Sequence, residues 1–317
     1  MSAEIKDPIG TSVVVPIDVR QSRSIWIRFG ELVRFSHTLF ALPFAVWSTA
    51  MSLVVPWPEG ITSGSNVWLR WLGILLCMVF ARSAAMGFNR YIDREFDAKN
   101  ARTAIREIPA GAISAQAALV FVIASSVAFI ATTWFINPLC FYLSPVALIV
   151  VLGYSLTKRF TWLCHLVLGV GLSLAPIGAY LAVTGVFNLL PLLFSFAVLF
   201  WVSGFDIIYA LQDEEFDRTN NLFSIPSALG KKNALLVSRL LHVCSFAFVV
   251  AAGFWGPFGI IYWVGAAFFL SMLIYQHSLV KPTDLSKVNL AFATTNGVAS
   301  VVFGCFVVVD IFLPLAY

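Results

Sequence analysis

Long apolar runs, each closed by a short polar or breaker-rich stretch, recur from about residue 34 to the C-terminus. Each lasts roughly 20 residues, enough to carry a helix across the hydrocarbon core of a bilayer. Apolar length and breakers place the spans at roughly 34–55, 67–91, 114–135, 138–157, 161–184, 189–212, 233–254, 257–279 and 289–313. The breaks are legible as "VPWPEG" after the first span, "NP" at 137–138, "TGVFN" at 184–188, "WGPFG" at 255–259 and "KPTDLSK" at 281–287. The pattern predicts an all-α polytopic membrane protein with about nine transmembrane helices.

Composition agrees. The chain is 60% hydrophobic and only 11% charged, with a mean hydropathy of +0.89, which is not the make-up of a soluble globular domain. The opening residues are polar and mixed, so residues 1–30 read as a polar arm and 31–317 as one transmembrane domain. A cleavable signal is not expected there, and the first span serves as the insertion signal. The cysteines at 77, 140, 164, 244 and 305 stand singly in apolar runs. They read as small buried hydrophobes rather than metal ligands or disulfide partners.

Charge adds orientation. Lys6, Arg20, Arg23 and Arg28 lie in the arm, and Arg94, Lys99, Arg102 and Arg106 follow the second span. Lys158 and Arg159 follow the fourth, Arg218, Lys231 and Lys232 the sixth, Lys281 and Lys287 the eighth. If the spans alternate, all of these fall on one side, while the opposite turns carry little beyond Glu59 and Arg70. The basic excess marks the cytoplasmic side, so the N-terminus is expected inside and the C-terminus outside a cell inner (plasma) membrane. The two long polar loops, about 92–113 and 213–232, share the cytoplasmic side, and function is expected there. They follow spans four apart, which divides the chain into two similar halves with a ninth span added.

In "NRYIDREFD" (89–97), Asn89, Asp93 and Asp97 fall at i, i+4 and i+8. On a helix such positions drift by about 40° and rise by about 6 Å per step, so they share one face. A row of hard oxygen donors at that spacing suits Mg²⁺ ions that bridge phosphate oxygens. Asp213 and Asp217 repeat the spacing beside Glu214 and Glu215. The competing reading is a solvated acidic helix end, although carboxylates at a helix C-terminus oppose the macrodipole.

Cations surround the rows. Of Arg90, Arg94, Lys99, Arg102 and Arg106, some serve orientation alone and others suit a forked clamp on a diphosphate. Tyr154 and Lys158 in "YSLTKR" close the fourth span on the same side. A lysine there is ordinarily a dipole partner; facing the acidic rows it becomes a phosphate ligand. Arg82 and Asp206 lie about two turns deeper, where an ionisable group faces the bundle interior. They either pair with each other or line a cavity wall near the substrate's headgroup. Arg34, Ser36 and His37 open the first span, and His37 reads as an interface residue. His165, His242 and His277 read as isolated, without metal-ligand spacing.

"NRYIDREFDAKNARTAIREIPAG" and "FDIIYALQDEEFDRTNNLFSIPSALG" closely resemble two signatures of the UbiA superfamily of intramembrane aromatic prenyltransferases, and "YSLTKR" resembles the third. The resemblance extends over nearly the whole chain. It implies nine helices around a central cavity that opens to the cytoplasmic face. It implies Mg²⁺ held by Asn89, Asp93, Asp213 and Asp217, with Asp97 assisting, and Lys158, Arg90 and Arg34 neutralising an isoprenyl diphosphate. Asp93, Asp97, Asp213, Asp217 and Lys158 are the residues expected to carry catalysis. Arg82, Tyr154 and Asp206 would bind substrate, with Arg82 or Arg34 facing the acceptor's carboxylate. The partners implied are an isoprenyl diphosphate, an aromatic acid and the lipid bilayer, with no nucleic acid.

"RFSHTLFALPFA" and "NARTAIREIPAG" look most like the 4-hydroxybenzoate polyprenyltransferase branch, which places the product in quinone biosynthesis. A naphthoate of a menaquinone route is the alternative acceptor. Protoheme farnesyltransferases share the "RT" but typically have "RPL" where this chain reads "REIPAG". A transporter is the non-enzyme alternative; it would use Arg82 and Asp206 as a permeation path but would leave the acidic rows unexplained.

Overall fold

The computed structural model describes residues 2–6, 12–16, 24–33, 42–54 and 67–313. Two strands, β1 (Ser2–Lys6) and β2 (Ser12–Pro16), pair antiparallel, with Ser2 opposite Pro16. Among the described residues the other regular elements are helical: α1 (Ile25–Leu32), α2 (Leu42–Val54), α3 (Val67–Ile92), α4 (Arg94–Lys99), α5 (Ala115–Ile136) and α6 (Pro138–Thr157). Then follow α7 (Cys164–Thr184), α8 (Leu189–Ala210), a 3₁₀ turn (Leu211–Asp213), α9 (Glu214–Thr219), α10 (Ile225–Trp255) and α11 (Ile260–Leu279). A π turn (Leu290–Thr295) leads into α12 (Asn296–Phe312).

Among the described residues, eight helical segments are long and apolar enough to cross a membrane. The described part of α2 is 13 residues long and packs against α7 and α12. It supplies the expected first span, whose remaining predicted residues lie outside the described ones. The all-α membrane bundle of about nine helices is therefore present, with the small ribbon at the N-terminus added to it.

The sequence places the helix starts by side-chain capping, since the first N–H groups of a helix lack internal partners. Ser114, Asn137, Asn188 and Ser224 each accept a backbone N–H at the start of α5, α6, α8 and α10. Gly185, at φ 69°, turns the chain out of α7 in a left-handed conformation that favours glycine. α10 opens at Ile225 with a short capped turn, where Ser224 and Ser227 form a reciprocal capping box with Pro226 in the first turn, and its long apolar stretch follows Gly230, close to the expected start near 233. Gly230, at φ 73°, then bends the segment.

α8 is the central post, packed between α7 and α10; α3 lies against α5 and α6, and α11 against α12. Close approach of α7 to α8 requires Gly169, where a Cβ would stand 2.5 Å from the Leu199 carbonyl oxygen. The largest buried cluster joins Phe44, Trp47, Phe194, Trp201, Phe269 and Phe303, drawn from α2, α8, α11 and α12. On the rim that carries the acidic loops, α1 packs Leu32 against Ile113 and Ala118. Arg28 donates to the Ala112 carbonyl at 2.8 Å, which fastens α1 to the first acidic loop.

Candidate active site

The two acidic rows are built alike. α3 ends at Ile92, Asp93 adopts φ −89°, ψ 5°, and the six-residue α4 follows. α8 ends at Ala210, Asp213 adopts φ −103°, ψ 3°, and the six-residue α9 follows. Both aspartates thus sit at the break in the sparsely populated bridge region, and a second aspartate four residues on lies buried in the short helix. The expected continuous helical row is interrupted at Asp93. The i→i+4 spacing survives, because Asp93 N–H bonds Asn89 O at 3.0 Å and Asp97 N–H bonds Asp93 O at 2.7 Å. The repeat between the halves is therefore a structural repeat at the acidic loops.

Each carboxylate has a basic partner. Arg159 approaches Asp93 Oδ1 at 3.3 Å, and Asn89 Nδ2 donates to Asp93 Oδ2 at 3.1 Å. Arg106 Nη1 straddles both oxygens of Asp97 at 2.7 and 2.8 Å. Arg102 grips Asp213 with two nitrogens, Nε to Oδ1 at 3.1 Å and Nη2 to Oδ2 at 2.5 Å. Lys158 Nζ lies 2.7 Å from Asp217 Oδ1, whose side chain is fully enclosed. Burial lifts the Asp93 carboxyl above its usual pKa and the Asp97 charge adds to this, while Arg159 and Lys158 oppose it. Burial works against the Lys158 ammonium, but Asp217 and Asp213 outweigh it and hold its pKa above the usual value.

Lys158 interacts electrostatically with Asp93 of the first row and with Asp213 and Asp217 of the second. Its own carbonyl accepts the Phe223 N–H at 2.7 Å, which ties the end of α6 to the second acidic loop. Sequence reasoning placed Lys158 here, and the contact to Asp217 makes it more than a dipole partner.

Deeper in the bundle, Tyr154 interacts with Asp93, Arg90 and Asp206, and Arg82 with Tyr154. Arg82, Arg90, Tyr154 and Asp206 therefore form one neighbourhood beneath the first row. Arg82 Nε is buried without an aligned hydrogen-bond partner among the described residues. Arg34, Ser36 and His37 lie outside the described residues.

Two sequence readings need correction. The alternative pairing of Arg82 with Asp206 is not made: Asp206 Oδ2 binds His165 Nδ1 at 2.7 Å. Nor are the histidines isolated, since His242 Nδ1 meets His277 Nε2 at 2.9 Å. A backbone N–H can only donate, and Ile225 N–H reaches His165 Nε2 at 3.2 Å. His165 therefore carries its proton on Nδ1, and that N–H donates to the Asp206 carboxylate. It holds Asp206 in place and ties the start of α10 to α7. His165→Ala is expected to cost about 1–3 kcal/mol of stability, from one charged and one backbone bond lost. Thermal unfolding in detergent measures this, and an unshifted midpoint would contradict the role. The contact of Arg159 to Asp93 and the roles of Asn100 and Tyr209 also escaped the sequence reading; the charge pattern gives Arg159 an orienting role alone, Asn100 lies in the first acidic loop, and Tyr209 sits in the last turn of α8.

Among the described residues no three carboxylate, imidazole or thiolate groups converge to metal-ligand distance. The donor set nonetheless suits a hard cation. Asp217 Oδ1 and Oδ2 are buried, with Lys158 on Oδ1 at 2.7 Å and the Ser224 hydroxyl as a further polar neighbour, and neither takes an aligned hydrogen bond beyond that ion pair. An enclosed carboxylate with lone pairs to spare is a ligand for a divalent ion.

The profile of the UbiA prenyltransferase family matches residues 45–298, a stretch that contains both acidic rows and Lys158. The chain belongs to that family. A protein of Nitrosospira multiformis named 4-hydroxybenzoate octaprenyltransferase is 30% identical over 87% of this chain and 93% of its own length. One of Tolumonas auensis with the same name is 28% identical over 88% and 95%. Among solved structures, an apo UbiA homolog from Aeropyrum pernix K1 aligns with TM-score 0.76 and 31% identity over 86% of this chain and 98% of that one. A UbiA homolog from Archaeoglobus fulgidus bound to DMAPP and Mg²⁺ shares the fold, with TM-score 0.69 and 22% identity over 90% of this chain and 99% of that one. This UbiA-family chain is a multi-pass membrane prenyltransferase, and the transporter alternative falls with that membership.

Proposed function

We propose that this prenyltransferase moves a polyprenyl group from an isoprenyl diphosphate to 4-hydroxybenzoate or a close aromatic acid, in quinone biosynthesis, with Mg²⁺ as cofactor. The single observation that carries the reading is the pair of like-built acidic rows with Lys158 interacting with both. The names of the relatives support the acceptor class.

Asn89, Asp93, Asp213 and Asp217 would hold the metal, with Asp97 supporting the first row through Arg106. When bound, Mg²⁺ neutralises phosphate oxygens and favours departure of the pyrophosphate. Charge on the leaving group grows as the allylic C–O bond breaks, so the cations Lys158 and Arg90 stabilise the transition state more than the ground state. Apolar and aromatic side chains of the bundle would shelter the allylic cation from water. A ring carbon of the acceptor then forms the new C–C bond and loses its proton. Arg82, whose buried Nε has no aligned partner among the described residues, would take the acceptor's carboxylate, and Asp206, braced by His165, lies in the same neighbourhood. The basic excess beside the acidic loops supports a cytoplasmic position for those loops and for the N-terminus, in a cell inner membrane.

The test is a panel of acceptors. Purified protein with Mg²⁺ and an allylic diphosphate is expected to prenylate 4-hydroxybenzoate in preference to a dihydroxynaphthoate, and to release pyrophosphate. Arg82→Gln is expected to raise the acceptor's KM by on the order of tenfold or more while leaving the diphosphate's KM nearly unchanged. A preference for the naphthoate would replace the acceptor, and no product with any acceptor would overturn the reading.

A further inference from the structure

The four aspartates are not equally available. Asp217 meets Lys158 through one oxygen at 2.7 Å, Asp93 meets Arg159 at 3.3 Å and Asn89 at 3.1 Å, one on each oxygen, and Asp97 takes both its contacts from a single Arg106 nitrogen. Asp213 is saturated: Oδ1 accepts from Arg102 Nε at 3.1 Å and Asn100 Nδ2 at 3.2 Å, and Oδ2 from Arg102 Nη2 at 2.5 Å. A fork-on-carboxylate pair in a half-buried site is among the stronger charge-assisted contacts. A divalent cation cannot use the same lone pairs while the fork stays.

Arg102 is also held at its other end. Nη1 donates to Tyr209 Oη at 3.0 Å, and the guanidinium carbon lies 5.3 Å from the Tyr209 ring centre. Tyr209 is itself fixed against Phe292 of the π turn, ring centroids 4.3 Å apart. Release of Asp213 therefore leaves Arg102 with its tyrosine contact, so the guanidinium can turn about a fixed point without losing every partner.

We infer that Arg102 is a positioning residue that makes cation and diphosphate loading mutually dependent. It guards Asp213 until an incoming diphosphate offers its fork another anion, and the freed carboxylate then accepts the metal. The inference rests on the proposed function of the acidic rows. It adds an exchange of partners at Asp213 to the residues that reading names. Two ligands that each relieve the other's obstacle bind with positive coupling, and the coupling is the same factor seen from either side.

The experiment is a Mn²⁺ titration followed by electron paramagnetic resonance, on full-length protein in lipid nanodiscs, with and without inorganic pyrophosphate. In the unaltered protein, pyrophosphate is expected to tighten Mn²⁺ by about tenfold or more. In Arg102→Gln, Mn²⁺ alone is expected to bind more tightly than in the unaltered protein, and pyrophosphate to add less than about threefold. Tyr209→Phe keeps the fork but removes the Nη1 acceptor, and is expected to fall between the two. It also answers for any failure of the glutamine variant to fold. Coupling that survives intact in Arg102→Gln, or weaker Mn²⁺ binding by that variant alone, would overturn the exchange while leaving the acidic rows as the metal site. If the unaltered protein binds neither Mn²⁺ nor pyrophosphate, the proposed function falls and the exchange with it.

Discussion

Asp93→Ala and Asp213→Ala are each expected to lower kcat/KM for prenyl transfer on the order of a thousandfold, while the protein still inserts and folds. Both residues occupy the break between a spanning helix and a six-residue helix, and each contributes its carboxylate rather than packing volume. Asp93 is 24% exposed at its side chain, and Asp213, though buried, sits among the polar partners Arg102 and Asn100, so neither truncation opens a cavity in the apolar core. The loss should fall on kcat as well as KM, because the contacts strengthen as charge develops on the leaving group. Steady-state turnover with a fixed acceptor, alongside size-exclusion profiles, measures it. Wild-type-like turnover in both variants would refute the roles of the rows.

Lys158→Met is the second large effect, and it acts on stability and turnover together. Asp217 is fully enclosed and Lys158 is its cation at 2.7 Å. Removing one partner of a buried pair leaves an uncompensated charge, which costs about 3–5 kcal/mol in a sealed site. Lys158 is about a third exposed, so solvent screening brings the expected loss nearer to about 2 kcal/mol. Turnover is expected to fall at least about a hundredfold, since under the proposed function the same ammonium would face the leaving group. The double variant Lys158→Met with Asp217→Asn is expected to recover most of the thermal midpoint but none of the turnover. Recovery of both would make the pair purely structural, and so would a single variant that unfolds early yet turns over normally.

Much of this was legible in the sequence because the solvent is a bilayer. A helix must run apolar for the full depth of the membrane and must end where polar residues begin, so span boundaries such as 138–157 appear directly in the residue pattern. The acidic rows were visible for a similar reason: carboxylates at i and i+4 are conspicuous beside twenty apolar residues. The short capped turn ahead of Gly230 was hidden, because Ser224 and Ser227 act through local hydrogen bonds that hydropathy does not register. The partners of the aspartates were hidden more deeply. Asp213 and Arg102 are 111 positions apart in the chain, and Asp206 and His165 are 41 apart. Nothing in spacing says which of several loop arginines reaches which carboxylate; that follows from how α8 sits against α7 and the loop after α3. The N-terminal ribbon also escaped, since β1 and β2 lie in an arm that lacks the apolar periodicity used to read the rest.

The most direct measurement is pulsed electron paramagnetic resonance of Mn²⁺ on nanodisc-embedded protein with an unreactive allylic thiodiphosphate. Coupling of the bound ion to phosphorus is expected in the unaltered protein, and it should vanish in both Asp93→Ala and Asp213→Ala. A phosphorus-coupled ion that persists when either row is broken would contradict the joint grip of the two rows on one metal diphosphate.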